Sequence, residues 1–211
     1  LSYIEECLTE LDEYDEKRDL KSDYLFHRHA FDAADDVAQT ALELGLGEKV
    51  ANNLYYATLI HDIGKMDLDA EIWDYEDSPT PEIKAEKRSH VDHGAQQLRN
   101  DFAGQDHPFL DLAADIMANH HTQLNQLKDG ETLSNPARLV AIVEDYDGRS
   151  HLRAHHIKMG LSNDIPSVLA RQEEKCDGWF DADMYSAFKA IKLKQHAQNA
   201  PNEDNPNIEP N

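Results

Sequence analysis

With 211 residues and 42 acidic against 20 basic side chains, a formal net charge of −22, the chain can hold one large domain or two small ones, and it is too acidic to bind a nucleic-acid duplex passively, where affinity rests on Lys and Arg. No run of about 18 apolar residues and no signal-peptide pattern is present, and Cys7 and Cys176 have no metal-type spacing, so no membrane span and a reducing, cytoplasmic location are expected. A first residue of Leu1 and not Met leads to the expectation of a piece cut from a longer protein.

Gly and Pro are scarce within the chain and strand-like alternation is nearly absent, so an all-α fold, a single helical bundle, is predicted. Tyr3 to Glu16 reads as a short acidic packing or linker helix within an N-terminal segment, 1–22. The main domain spans 23–196. Its first helix runs from about Asp23 to Leu44, with Phe26, His29, Ala30, Ala33, Val37, Ala41 and Leu44 on one stripe; Gly45 and Gly47 end it. The next, from about Glu48 to His61, buries Leu54, Ala57, Thr58 and His61, and Gly64 stops it. After a loop rich in Asp and Pro, Thr80 caps a helix that starts at Pro81 and carries His90. Pro108 opens a helix with Leu112, Ala113, Ile116, Met117 and His120 on one side. A polar loop from Asn119 to Asn135 precedes a helix, started by Ser134, Asn135 and Pro136, that holds Leu139, Ile142, Val143 and Tyr146. Helices over Ile165–Lys175 and Ala182–His196 follow. Residues 197–211, rich in Asn, Pro and Glu, read as a disordered tail.

The chemistry lies in the histidines. His61-Asp62, at the end of an apolar helix, places a neutral nitrogen beside a carboxylate that can bridge two cations. His29, His61 and His120 each continue an apolar stripe and point inward, where an imidazole needs partners for its nitrogens. One inward His reads most simply as a satisfied core residue. Three on three helices, with Asp62 and His121 beside them and His90 at a compatible interval, read as a two-metal site. His27 falls off its stripe and is predicted exposed. His93, His107, His151, His155, His156 and His196 read as solvated or locally bonded. Paired cations about 3.5–4 Å apart clamp the attacking and leaving oxygens of a phosphoryl displacement. A His-rich set suits iron, manganese or zinc better than magnesium.

From about Tyr24 to Lys192 these residues resemble the HD superfamily of metal-dependent phosphohydrolases, and within it the HD-GYP branch. His29 with Ala33 and Leu44-Gly45-Leu46 resembles the first ligand helix. His61-Asp62-Ile63-Gly64-Lys65 resembles the signature. His90-Val91-Asp92-His93-Gly94 resembles a His-Pro-x-x-Gly motif with Val91 in the proline place, and His120-His121 the double-His motif. Ala137-Arg138-Leu139 through Tyr146-Asp147 resembles the last ligand helix. Arg153 falls where an Arg-Pro-Tyr segment would be, and Phe180-Asp181 with Ala187-Phe188 resembles the terminal helix. The chain departs from the branch in three places. The Gly-Tyr-Pro loop after the double His is missing. The last ligand, usually Asp, aligns with Glu144, with Asp145 beside it. The position four before His29, which supplies a third-metal Glu in some members, is Leu25.

The resemblance implies a two-metal set of His29, His61, Asp62, His90, His120, His121 and Glu144. Asp62 would bridge the ions and orient a metal-activated hydroxide. Lys65 would donate to a phosphate oxygen, and otherwise reads as a surface lysine pairing with Asp67 or Asp69. Arg153 would clamp a second phosphate with its fork geometry, and otherwise forms a structural salt bridge. The expected function is hydrolysis of a small phosphate ester, a nucleotide or cyclic nucleotide, with cyclic di-GMP disfavoured because its loop is missing. The alternatives are a degenerate sensory or binding domain of a signalling protein without catalysis, and a di-iron oxygenase on the same scaffold. Substrate, metal identity and oligomeric state stay open.

Overall fold

A computed structural model of the chain describes residues 2–20, 24–74, 79–151, 159–175 and 178–199. Among them there are helices and turns and no strand. The α-helices are α1 (Ser2–Asp15), α2 (Phe26–Glu43), α3 (Glu48–Leu59), α4 (Pro81–Arg88), α5 (His90–Asp101), α6 (Pro108–Asn119), α7 (Asn135–Ser150), α8 (Ile165–Lys175) and α9 (Ala182–Asn199). Short 3-10 turns cover Ile63–Asp67, Ala70–Ile72 and Leu124–Gln126.

Helices α2 and α3 form the most extensively packed pair. Small residues allow this: Ala30, Ala33, Ala34 and Ala41 on α2 and Ala51 and Ala57 on α3 are all buried, so the two backbones approach closely. Gly45 and Gly47 make the turn between them at φ +73° and +82°, where a side chain would be strained. Helices α5 and α6 form a second pair, and α7 packs against both α2 and α6. Helices α8 and α9 close the back of α7. The Gln172 amide donates to the Ile142 carbonyl at 2.9 Å, and Lys192 pairs with Asp36 of α2 at 2.8 Å.

The helix expected to run from Pro81 through His90 is divided at Ser89 into α4 and α5. Thr80 caps α4 by accepting from the Ile83 amide, and Ser134 caps α7 by accepting from that of Ala137. The last helix continues past His196, so residues 197–199 are helical and not tail; 200–211 lie outside the described residues. His27 is half-buried, not exposed, with its ring against Phe31.

Helix α1 is part of the bundle. Leu11 is buried in the common core, and the Tyr14 hydroxyl donates to the Leu68 carbonyl at 2.6 Å. Arg18 lies just after α1. It pairs with Asp15 and Asp74 at 2.6 and 2.9 Å, and its guanidinium stacks 3.9 Å above the Phe26 ring. These contacts place Phe26 and Trp73 under the turn that carries the His-Asp pair.

Candidate metal centre

Four elements deliver imidazoles to one buried point. His29 comes from the first turn of α2. His61 and Asp62 follow the end of α3. His90 opens α5, and His120 ends α6. Each of these five residues is at most 3% exposed. Nε2 of His29 and Nε2 of His61 lie 3.3 Å apart, and those of His90 and His120 lie 3.1 Å apart.

The opposite ring nitrogens explain what these pairs are. His61 Nδ1 faces the Thr58 carbonyl at 2.5 Å, His90 Nδ1 that of Lys87 at 2.5 Å, and His120 Nδ1 that of Met117 at 2.9 Å. A carbonyl can only accept, so each Nδ1 carries the proton and, in the neutral ring, each Nε2 presents a lone pair. His29 Nδ1 lies 2.8 Å from Asp147 Oδ2, an ion-pair approach without a well-formed hydrogen bond, and the carboxylate charge favours the proton on that nitrogen. Lone pairs facing one another at such distances repel unless a proton or a cation lies between them.

The carboxylates divide these nitrogens into two groups. Asp62 Oδ2 is 3.3 Å from both His29 Nε2 and His61 Nε2. Its other oxygen, Oδ1, is 3.1 Å from His90 Nε2 and 3.5 Å from His120 Nε2. Glu144 Oε1 of α7 is 3.1 Å from His29 and 3.0 Å from His61. Two sets of atoms close enough to hold one ion each result: His29, His61, Asp62 and Glu144, and His90, His120 and His121. Asp62 is the carboxylate with an oxygen toward each. Both Asp62 oxygens and Glu144 Oε1 are buried and accept no well-formed hydrogen bond among the described residues. Buried carboxylate oxygens without a well-formed hydrogen bond, gathered among four imidazole Nε2 atoms, fit divalent cations.

Electrostatics follow from burial and proximity. Burial alone would raise the Asp62 carboxyl, yet His61 and Lys65 hold it well below the usual range. Glu144 is lowered likewise, burial being outweighed by His29 and His61. Burial favours neutral His61, but Asp62 and Glu144 push it up to about 9. His120 goes the other way, to about 4, chiefly through burial. In the metal-free protein, therefore, the carboxylate-rich half stores protons while His120 stays neutral.

Glycine builds the turn after Asp62. A Cβ on Gly64 would lie 2.1 Å from the His90 carbonyl oxygen and 2.4 Å from the Gly94 nitrogen. Only this close approach lets the Ile63–Asp67 turn seat on α5 and bring Asp62 toward His90. Lys65 is buried and pairs with Asp62 Oδ2, with its ammonium 4.3 Å from the Phe26 ring centre and 5.6 Å from that of Trp73. It is neither a surface lysine nor a partner of Asp67 or Asp69.

Beside the centre lies a cavity of about 620 Å³ whose walls include His121, Glu144, Lys84, Arg88, Arg149, Arg171 and Phe180. The structure thus brings together His29, His61, Asp62, Lys65, His90, His120, His121 and Glu144. Asp145 also lines this cavity, but it pairs with Arg149 at 2.6 Å and with none of the imidazoles among the described residues. Arg153 lies outside the described residues. Sequence reasoning missed Asp147; its position one turn after Glu144 on the same helix face was the available signal.

The sequence profile of the HD domain family matches residues 16–149. The chain belongs to the HD domain family. HD domains are generally metal-dependent hydrolases. Among solved structures this HD domain is similar to "Bd1817, a HDG"Y"P protein from Bdellovibrio bacteriovorus", with a TM-score of 0.61 and 19% identity over 80% of this chain and 52% of that one. The HD-GYP-like fold is therefore shared, and the chain spans about half the length of that protein. No curated protein matches the chain by sequence. No helix among the described residues is long and apolar enough to cross a membrane.

Proposed function

We propose that this HD domain hydrolyses a small phosphate ester at a binuclear centre. The observation that carries the reading is Asp62, buried, with one oxygen toward each of two imidazole groups and no well-formed hydrogen bond to either oxygen. His29, His61, Asp62 and Glu144 would hold one cation, and His90, His120, His121 and the second Asp62 oxygen the other. Such a pair supplies Lewis acidity at the phosphoryl oxygens and lowers the pKa of water. Ligand chemistry favours iron, manganese or zinc.

The protein's own part is positioning. Backbone carbonyls and Asp147 fix four ring tautomers, so that four Nε2 atoms converge without rearrangement. The apolar residues around the site, Phe26, Ile60, Ile63 and Met117 among them, are at most 1% exposed and exclude bulk water. Lys65 balances Asp62 in the metal-free state. Once cations share that carboxylate, the Lys65 ammonium is the buried donor available to a phosphoryl oxygen. Its aromatic surroundings hold the charge near the rings of Phe26 and Trp73.

The substrate reading is a phosphomonoester or phosphodiester of nucleotide type, with cyclic di-GMP a poor substrate because the Gly-Tyr-Pro loop is missing after His121. Release of phosphate from a panel of nucleotides, of 4-nitrophenolate from bis(4-nitrophenyl) phosphate and of linear dinucleotide or GMP from cyclic di-GMP, with iron-, manganese- or zinc-loaded protein, tests it. Lys65→Ala should lower turnover about 10²-fold or more with metal content unchanged. Full activity in that variant overturns the role of Lys65, and fast cyclic di-GMP cleavage overturns the substrate reading. No hydrolysis with any of the three metals leaves a non-catalytic sensory domain as the better account.

A further inference from the structure

The cavity beside the centre contains cations for which the metal reading has no use. His121 and Glu144, one from each candidate ligand group, lie in its wall. In a chain with 20 basic against 42 acidic residues, Lys84, Arg88, Arg149 and Arg171 all line this one space. Two of them are already engaged. Arg149 forks onto Asp145 at 2.6 and 2.8 Å, and Arg171 donates to the carbonyls of Ser162 and Arg149 at 2.6 and 3.1 Å. Lys84 and Arg88 form no salt bridge or side-chain hydrogen bond among the described residues.

Lys84 and Arg88 stand one turn apart on α4, at i and i+4, and so share a face. Arg88 is two residues before His90, which the α4–α5 junction carries into the centre. The anion that faces Arg88 is Glu144, itself a candidate ligand. When cations take up the Glu144 charge, the acid left in this wall is Asp145, already forked by Arg149, and the Arg88 guanidinium and neighbouring Lys84 ammonium line a solvent-connected space with no salt bridge of their own among the described residues. A fork of this shape matches phosphate oxygens two at a time.

We propose that Arg88 and Lys84 form a second anion subsite beside the metal centre, and that the substrate carries at least two phosphoryl groups: one hydrolysed at the centre, the other held by these two side chains. This rests on the phosphohydrolase reading above and names its substrate class. It requires nothing of Arg153, because α4 alone supplies both charges.

Methylphosphonate and methylenediphosphonate test it, since both resist hydrolysis and they differ by one phosphonyl group. Each is titrated calorimetrically into metal-loaded full-length chain, with retained metal measured afterwards and affinities compared at equal occupancy. The diphosphonate should bind more tightly. Arg88→Ala should weaken diphosphonate binding roughly tenfold and methylphosphonate binding less than about twofold, with Lys84→Ala acting in the same direction and Arg88→Lys in between. An equal loss for both ligands, or no loss for either, overturns the subsite and leaves the phosphohydrolase reading standing. If the unsubstituted, metal-loaded chain binds neither anion, that reading falls and the subsite with it.

Discussion

Helix α7 touches both nitrogens of one imidazole: Asp147 Oδ2 lies 2.8 Å from His29 Nδ1, and Glu144 Oε1 lies 3.1 Å from His29 Nε2. The two acids are one turn apart, so a single helix face both aims the ring and approaches its Nε2 side. Burial would raise the Asp147 carboxyl, but His29 and His151 hold it well below the usual range. It is an anion at neutral pH, suited to keeping the proton on Nδ1.

Asp147→Asn should therefore weaken metal binding about 10- to 100-fold, the usual effect of losing a carboxylate behind a ligating imidazole. The amide preserves shape and removes charge, so the fold should persist. Metal titration with circular dichroism as the folding control measures both. Unchanged affinity would show that the Thr58, Lys87 and Met117 carbonyls alone orient the set.

Glu144 and Asp145 are neighbours that the helix turns by about 100° from each other. Glu144 faces His29 and His61; Asp145 forms a fork with Arg149. Glu144→Gln should lower metal occupancy by half or more, roughly the loss of one ligand from one ion. Asp145→Asn should leave occupancy unchanged. Elemental analysis after reconstitution decides, and the reverse order would assign the ligand to Asp145.

Gly64→Ala should be severely destabilising. The added methyl would meet backbone atoms of His90 and Gly94, which cannot rotate away, so either the turn or α5 must move. A loss of at least about 1–3 kcal/mol is expected, with metal binding impaired because Asp62 and His90 separate. Gly94→Ala is gentler, its Cβ falling 3.1 Å from the Gly64 nitrogen. Thermal melts of both variants should rank them in that order.

Metal uptake should release protons. In the metal-free protein, burial works against protonating His29 and His61, but the neighbouring carboxylates raise His29 well above its ordinary value and His61 to about 9. His61 therefore holds a proton at pH 7.5, and His29 is shifted in the same direction; cations must displace these protons, so uptake releases about one proton per chain or more. The sign is that affinity rises with pH through about 9, where His61 is half-protonated, and its share of the release declines above that. Calorimetry in buffers of different ionisation enthalpy counts the protons. No release at pH 7.5 would mean that the rings are neutral without metal.

Local signals were enough for the helices and for most of the centre. Apolar stripes at helical spacing placed His29, His61 and His120 inward, because burial on a helix follows a period that a sequence displays. Thr80, Ser134, Gly45 and Gly47 marked ends for the same reason: caps and turns depend on a few adjacent residues. What α-helical periodicity cannot express is how separate helices meet. The division of α4 from α5 at Ser89, the Gly64–Gly94 contact that seats one turn on another helix, and the burial of Lys65 against Asp62 among aromatic rings are all long-range packing outcomes. So are the placement of Asp147 behind His29 and of Arg88 across from Glu144. The approaches of Gly64 to Gly94, Lys65 to Phe26, Asp147 to His29 and Arg88 to Glu144 each join residues tens of positions apart in the chain, and the distances that make them chemistry exist only once the core has closed.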